Sequence, residues 1–549
     1  MSTQPDVLIV GAGPSGLVLA LLLCRNGLSV RIIDKSTEFK VGQRAAGIHA
    51  RTLELYKLLG ILSKVEKHLT KFPPMKIYIP GQDEPITRGP LVEELPMESQ
   101  YLKINYKILL QEDHQDILRE VLQKEYGCLI ENAELESFTQ DPEGVSVNLV
   151  KEGNKQETMR VNWLVGADGA RSIVRKQLGL TFLGDSDATV SIVIGDIEIE
   201  EFGDFDENYW SMWGNQNEKL AGLSPYTMNG KKMAFFGLGG AKLDVEEVGK
   251  SRESFISAFY EITGKRGLVF GSFHTNPSIW RSNVRMANKF QEGRVFIVGD
   301  AGHVHSFTGG QGMNSGVQDS FNLAWKLALV QKGLSPRSLI DSYSTERVPL
   351  IAAMLELATG ILKKDLTSKI PAFGQSKRGF EIRQLGITYR GTSPILVDER
   401  YPDTNIEEVD PYRSGLDGTV HAGDRAPEAP GLKRDGETTS IYEFFDVTSH
   451  TVVLFGKSIA DVQGLLDVVA KYPRSLVKTL LVLPQASEVQ AVTSSVLHRA
   501  LVDAEGHAYK NYRVQPGDTV AIVVRPDGYI GAAAKGVMGL NRYFSLILV

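Results

Sequence analysis

The sequence predicts an α/β protein in which a Rossmann-like domain is interleaved with a β-sheet domain and followed by a further C-terminal α/β unit. Three passages predict it, each an apolar run, a glycine-containing turn and a helical stretch, at 7–26, 163–179 and 293–333. The residues between them alternate or cluster differently, so the first domain is discontinuous along the chain.

In the first passage Val7, Leu8, Ile9 and Val10 form a buried-strand pattern and run straight into Gly11-Ala12-Gly13-Pro14-Ser15-Gly16. A helical stretch follows to Asn26-Gly27, and a second strand over 30–33 ends at Asp34, eighteen residues after Gly16. At that spacing a carboxylate reaches an adenosine ribose, while the glycines let backbone approach the pyrophosphate. The glycine pattern alone is common before helices. The flanking strands and the acid make it a dinucleotide signature.

The last passage carries the most chemistry. A strand over 295–298 ends at Asp300, the turn Gly309-Gly310-Gln311-Gly312 follows, and a helix is predicted over about 315–332. Val317, Phe321, Ala324 and Ala328 recur at helical spacing, and Gly333 with Pro336 supplies the stop. Backbone N–H groups and the positive end of a helix dipole stabilise negative charge at such a place. A reduced flavin is such an anion. The middle passage, Trp163-Leu164-Val165-Gly166-Ala167-Asp168-Gly169-Ala170-Arg171-Ser172, is a further strand and acidic turn, which alone could be an ordinary N-cap.

In this order GAGPSG, GADGARS and RVFIVGDAGH…GGQGMN resemble the three fingerprints of the flavoprotein aromatic hydroxylases, single-component FAD monooxygenases built on the para-hydroxybenzoate hydroxylase fold. Arg44-Ala45, Arg51-Thr52-Leu53-Glu54, Gln111 and the string from Tyr343 through Pro349 match as well. The resemblance covers the first 400 or so residues and extends more weakly to the C-terminus. It implies an FAD-binding domain at 1–72, 98–182 and 283–350, a β-rich substrate domain at 73–97 and 183–282, and a helical segment and linker at 351–420. Residues 421–549 resemble the thioredoxin-like domain of the phenol hydroxylase branch, but contain no cysteine and so lack the Cys-x-x-Cys that dithiol chemistry needs. This unit is expected to fold separately and to support a homodimer or cover the helical segment.

The resemblance also implies roles. Gly11, Gly13, Pro14, Ser15 and Gly16 meet the FAD pyrophosphate and Asp34 the AMP ribose. Lys35 and Arg44 neutralise phosphate, and Gln111 meets the ribityl chain. Asp300 binds ribityl or pyrophosphate oxygens. Gly312, Met313 and Asn314 set backbone N–H groups against the flavin pyrimidine. Asp168 and Arg171 belong to the motif tied to both FAD and the transient nicotinamide cofactor. Members of this family reduce FAD with NADPH or NADH, hold O2 as a flavin C4a-hydroperoxide and transfer one oxygen atom to a phenolic small molecule, the protein supplying position and electrostatics. Ring-expanding (Baeyer-Villiger-type) insertion, oxidative decarboxylation and dearomatisation are alternative outcomes. A reductase that never uses O2 and a non-catalytic flavoprotein are rival readings. A flavin-dependent halogenase is disfavoured, since Trp210-Ser211-Met212-Trp213 does not have the Trp-x-Trp-x-Ile-Pro spacing.

For the substrate, Phe205, Tyr209, Trp210, Trp213, Tyr226, Phe235 and Phe236 crowd the β-rich segment, and Trp213, Tyr226 and Phe236 are taken as pocket residues. Strand alternation lets only about half of such residues face a ligand. Phe307 joins them because Ser306 and Phe307 stand where the family string has two prolines. Prolines there would lock φ and remove N–H donors, so Phe307 is expected to shape the substrate side of the flavin.

Composition limits the rest. The 549 residues are 42% hydrophobic and 23% charged, ordinary for a globular chain. Sixty basic against 66 acidic residues leave a net −6 without a basic stripe, which argues against nucleic acid. Cys24 and Cys128 read as small hydrophobes, not a disulfide or metal site, and no His, Cys and Asp cluster has metal-ligand spacing. No stretch reads as a signal peptide or reaches the length of a membrane span, so a cytoplasmic address is expected.

Overall fold

The computed structural model describes residues 4–36, 46–92, 94, 98–102, 105–305, 309–367, 380–401, 409–412, 414–415, 418–485 and 496–549. Val7–Val10 is the centre of the first sheet, because four consecutive apolar residues can be buried on both faces. Val30–Asp34 and Trp163–Gly166 pair with it in parallel, and Val295–Ile297 pairs in parallel with Trp163–Gly166. The three glycine turns therefore gather at the carboxyl edge of one sheet, where open α/β sheets bind ligands. Helix Pro14–Arg25 crosses helix Gly312–Gln331 at close range. Only glycine fits there: a Cβ on Gly299 or Gly316 would lie 2.5 or 2.3 Å from the Ser15 hydroxyl oxygen.

The second sheet runs Ser278–Ala287, Phe182–Glu201, Lys231–Gly239, Leu220–Met228, Trp210–Gly214, Met75–Tyr78. The Asn229-Gly230 hairpin turn has φ of 50° and 76°, the left-handed pair that this dipeptide favours. Helix Arg252–Thr263 covers one face through Phe255, Phe259 and Ile262. At the sheet's edge His303–Val304 pairs with Arg285 and Met286, which stitches the last glycine passage to the second sheet. A small three-stranded sheet of Gly47–Ile48, Lys107–Ile108 and Thr70–Lys71 joins the two large ones.

The C-terminal sheet is thioredoxin-like, with Val477–Leu483 parallel to His450–Phe455 and Val520–Val524 antiparallel to it. Two expectations about this unit are corrected. Val397–Asp398, placed by the sequence in a linker, pairs with Ile530–Ala534 and belongs to this sheet. The unit is also not separate. One buried cluster runs from Val7 to Tyr442, Phe455 and Ile522, and Trp325 and Leu339 pack into the C-terminal core. A fully buried ion pair crosses the junction, Arg525 with Glu346 at 2.8 Å, and Glu346 also meets Lys326 of its own part of the chain at 2.7 Å. Burial pulls Lys326 down to about 8, against the attraction of Glu346. Nothing in the composition of 421–549 shows this, because Arg525 finds Glu346 in another segment.

Cys24 and Cys128 are free and half-buried. Among the described residues no helix is long and apolar enough to cross a membrane, and no group of His, Cys, Asp and Glu could hold a metal.

Two buried histidines add to the acid sensitivity of this core. Burial lowers His114 to about 4, and burial together with Arg525 lowers His450 to about 3. Both folded values lie below the unfolded value, so the unfolded chain binds more protons. Their contribution to stability is fully present above about pH 6.5 and is lost as pH drops toward the folded values. His450→Phe keeps the contacts with Trp325 and Tyr543 and removes one of these protonations. The acid limb of a melting temperature against pH curve should move to lower pH in that variant; an unmoved limb would refute the assignment.

Candidate active site

A cavity of about 850 Å³ opens between the carboxyl edge of the first sheet and the face of the second. Its floor is set by strand alternation: Ile192 and Ile194, Trp210 and Met212, Gly222 and Ser224, Phe235 and Gly237 face it. Gln111, Arg171, Asp300, Gly312 and Met313 line the side toward the first sheet.

At the first glycine turn Gly11 has φ of 107°, and a Cβ there would lie 2.3 Å from the Ala167 carbonyl oxygen. Gly16 would bring a Cβ to 2.1 Å from the Gly11 oxygen, so both glycines are required by packing. Gly13 differs, because nothing lies within 4 Å of its Cβ position. It leaves open space at the N-terminus of helix Pro14–Arg25, the cradle a pyrophosphate needs. Asp34 accepts from the Ala12 and Ser36 N–H groups, each at 2.8 Å, which fixes its carboxylate at the strand end. Lys35 is exposed beside it, and Arg44 lies outside the described residues.

Several expected residues have other work. The Ser15 side chain packs between Gly299 and Gly316, leaving backbone as its only route to a phosphate. Asp168 turns into its own loop, accepting from the Ile173 N–H at 2.7 Å and the Val174 N–H at 3.3 Å. Its other oxygen is buried with no hydrogen-bond partner, and its neighbours Ala170 and Arg171 line the cavity instead. The Asn314 side chain accepts from the His49 N–H and the Thr52 hydroxyl and donates to the Gly47 and Gly310 carbonyls. It laces the glycine turn to the small sheet, while Gly312 and Met313 line the cavity.

Three pocket expectations are corrected. Trp213 and Phe236 point to the opposite face, where Trp213 stacks on Tyr78 at 5.1 Å and Phe236 packs on Phe255 at 4.1 Å. Met212 and Phe235, each next in sequence to one of them, and Trp210 take the cavity side, as strand alternation requires. Tyr226 lies beyond the rim and donates to Asp196 at 2.7 Å. Burial and Asp196 push its phenol well up. Phe307 lies outside the described residues.

A buried brace that the sequence reading missed holds the Asp300 turn. Asp319 accepts from the Gly299 N–H at 3.0 Å and meets His303 at 2.8 Å and Arg347 at 2.7 Å, all buried. Burial raises the Asp319 carboxyl, but Arg347, His303 and the Gly299 N–H outweigh it and hold it at about 2. The charge is thus fixed beneath the turn, and Asp300 stays exposed toward the cavity. Signals were present, since Asp319 lies on the predicted helix and Arg347 in the quoted Tyr343 to Pro349 string, but pairing them needs the fold.

Residues 4–358 match the FAD binding domain family, and residues 462–549 match the phenol hydroxylase C-terminal dimerisation domain. The chain belongs to the FAD-dependent aromatic hydroxylases. A flavin-dependent monooxygenase of Mycobacteroides abscessus is 30% identical over 99% of this chain and 100% of its own length. Pentachlorophenol 4-monooxygenase of Sphingobium chlorophenolicum is 30% identical over 98% of this chain and 95% of its own. The solved structure of the flavin-dependent monooxygenase PieE with FAD and substrate superposes with a TM-score of 0.81, at 22% identity and over 99% of both chains. Aklavinone-11 hydroxylase with FAD and aklavinone superposes with a TM-score of 0.77, at 23% identity and over 100% of both chains. These two likenesses show that the hydroxylase fold extends through the whole chain, C-terminal sheet included.

Proposed function

We propose that this aromatic hydroxylase uses NADPH or NADH and O2 to insert one oxygen atom into a hydroxylated aromatic small molecule. The observation that carries the reading is one cavity bounded by the turns at Ala170-Arg171 and at Gly310 to Met313 on one side and by an aromatic, apolar sheet face on the other. Gly13 and the adjoining helix N-terminus would receive the FAD pyrophosphate, Asp34 the ribose, Gln111 and Asp300 the ribityl chain, and the Gly312 and Met313 backbone the pyrimidine edge. Bound FAD would take electrons from the nicotinamide cofactor and activate O2. Arg171, at the cavity side with its charge exposed, suits an anionic group of the nicotinamide cofactor. Trp210, Met212, Phe235 and Ile194 exclude water and give a flat ring a face to lie on. The dimerisation domain match supports a homodimer, and a cytoplasmic address suits the need for a reduced nicotinamide pool.

The test is turnover of a panel of phenols under oxygen-18 gas. The expected result is nicotinamide oxidation stimulated by the aromatic compound and a product heavier by one labelled oxygen atom. Nicotinamide oxidation indifferent to every phenol, with no labelled product, would overturn the reading. The Ser306-Phe307 departure supports ring expansion as a second outcome. Phe307→Pro should change product distribution or the share of nicotinamide oxidation that ends in product, with FAD affinity nearly intact. The same products at the same yield would dismiss Phe307 as a shaping residue.

A further inference from the structure

We propose that two paired glycines, Gly222 and Gly237, form a bare seat on the cavity floor that selects a fused polycyclic hydroxyarene over a single-ring phenol. This deepens the functional reading above and rests on it.

Strand register puts the two glycines side by side. Gly222 and Gly237 stand directly opposite each other on neighbouring antiparallel strands. The same row continues to Met212 on one side and to Ile194 on the other. All four line the cavity. With strands about 4.8 Å apart the row spans roughly 14 Å from Met212 to Ile194, and its two middle positions carry no side chain. Residues two further along a strand return to the same face, so Ser224 and Phe235 bound the bare patch on one flank and Leu220 on the other.

The packing of the protein does not require glycine at either place. Elsewhere in this sheet it does: a Cβ on Gly195 would lie 2.8 Å from the Phe236 ring, and one on Gly239 would lie 2.7 Å from the Ser191 carbonyl oxygen. On Gly222 a Cβ would lie 3.5 Å from the Trp210 indole nitrogen and 3.9 Å from the Met212 methyl. On Gly237 it would lie 3.4 and 3.9 Å from methyls of Ile192 and Ile194. These are ordinary van der Waals separations, and neither glycine has a left-handed backbone. Glycine weakens a strand interior and marks places where a ligand or another backbone comes close. The nearest atoms here all belong to the floor's own strands, so the close approach is left to a ligand.

A flat aromatic system can lie against the backbone of such a patch, with apolar side chains rising at its edges. Ile192, Met212 and Leu220 pack with Leu91 and Leu362, which closes one side of the floor. A single ring covers one glycine and leaves the other without a partner. A fused system of about three rings covers both and reaches the side chains beyond, gaining contact and burying more apolar area. The cavity volume of about 850 Å³ agrees, lying toward the upper end of the range that holds drug-sized ligands.

The test uses the FAD-loaded protein with phenol and 9-phenanthrol, a three-ring hydroxyarene. Binding is read from the absorption of bound FAD and turnover from nicotinamide oxidation. The wild type should prefer 9-phenanthrol in both. In Gly222→Ala and Gly237→Ala the ratio of the two affinities should fall about tenfold, because the methyl lifts the wider ring system off the floor. Gly237→Val, with a larger side chain that suits a strand, should lower the ratio further. The melting temperatures of the alanine variants should be no lower than that of the wild type, since alanine meets no clash there. An unmoved ratio in all three variants overturns the proposal and leaves the functional reading standing. So does a wild type that oxygenates phenol but neither binds nor oxygenates 9-phenanthrol. A lower melting temperature in both alanine variants would give the glycines a packing role and overturn it too. If neither compound perturbs the flavin or stimulates nicotinamide oxidation in the wild type, both readings fall.

Discussion

Glu346→Ala should cost about 3–5 kcal/mol, the range found when one partner of a buried ion pair is removed and the others are left charged. Glu346 accepts from Lys326, Asn322, Ser393 and Arg525 at 2.6 to 2.9 Å, and the site is closed to water. Burial alone would raise its carboxyl, but Arg525 and Lys326 prevail and hold it well below the usual carboxylate range. Without it, Lys326 and Arg525 face each other as buried cations, with only Asp527 near Arg525 to offset them. A total stability of roughly 5–15 kcal/mol leaves little after that loss. Chemical denaturation of the variant against wild type checks it, and a difference below about 1 kcal/mol would show that the pair is far more solvated than its burial indicates. The same contacts predict that truncation near residue 420 unfolds the FAD-binding part as well. Arg525 and Asp527 would be lost, as would the Asp527 carbonyl that accepts from Arg51 at 2.9 Å.

That result bears on what a sequence discloses. The glycine turns and their strands were legible because each is a local signal: an apolar run, a glycine where packing tolerates no Cβ, an acid at the strand end. The fold class followed, as did the placing of Gln111, Asp300, Gly312 and Met313 on one cavity side. Which face of a strand is buried was not legible. Trp210 and Trp213 are equally apolar, and phase is set by what packs behind the sheet, here Phe255 and Phe259 of a helix that comes later in the chain. Motif membership also misled where a side chain had a structural use, as with Asp168 at its helix turn and Asn314 in its lacing. Phe72 and Tyr106 also line the cavity and were missed because they sit in segments assigned to the nucleotide domain. Only the pairing of three two-residue strands brings them to the cavity.

Gly11→Ala and Gly13→Ala should separate folding from cofactor binding within a single motif. At Gly11 the φ of 107° is one that L residues rarely adopt, and the added Cβ would sit 2.3 Å from the Ala167 oxygen and 2.9 Å from the Asp168 nitrogen. Those atoms are backbone at the end of a central strand and cannot move aside cheaply, so the variant should lose about 3 kcal/mol or more even without FAD. At Gly13 the backbone is ordinary, with φ of −72° and ψ of 177°, and the Cβ position is open. The apoprotein should then be destabilised by no more than about 1 kcal/mol, the scale of a helix N-cap change. The methyl instead projects into the space a pyrophosphate must occupy to reach the helix N-terminus. FAD affinity should fall about a hundredfold, which is roughly 2.8 kcal/mol. Apoprotein denaturation and FAD titration of both variants give the four numbers required. If Gly13→Ala bound FAD like the wild type, the pyrophosphate would have to lie elsewhere. If Gly11→Ala were as stable as the wild type, the two strand ends would not be packed as closely as the structure has them.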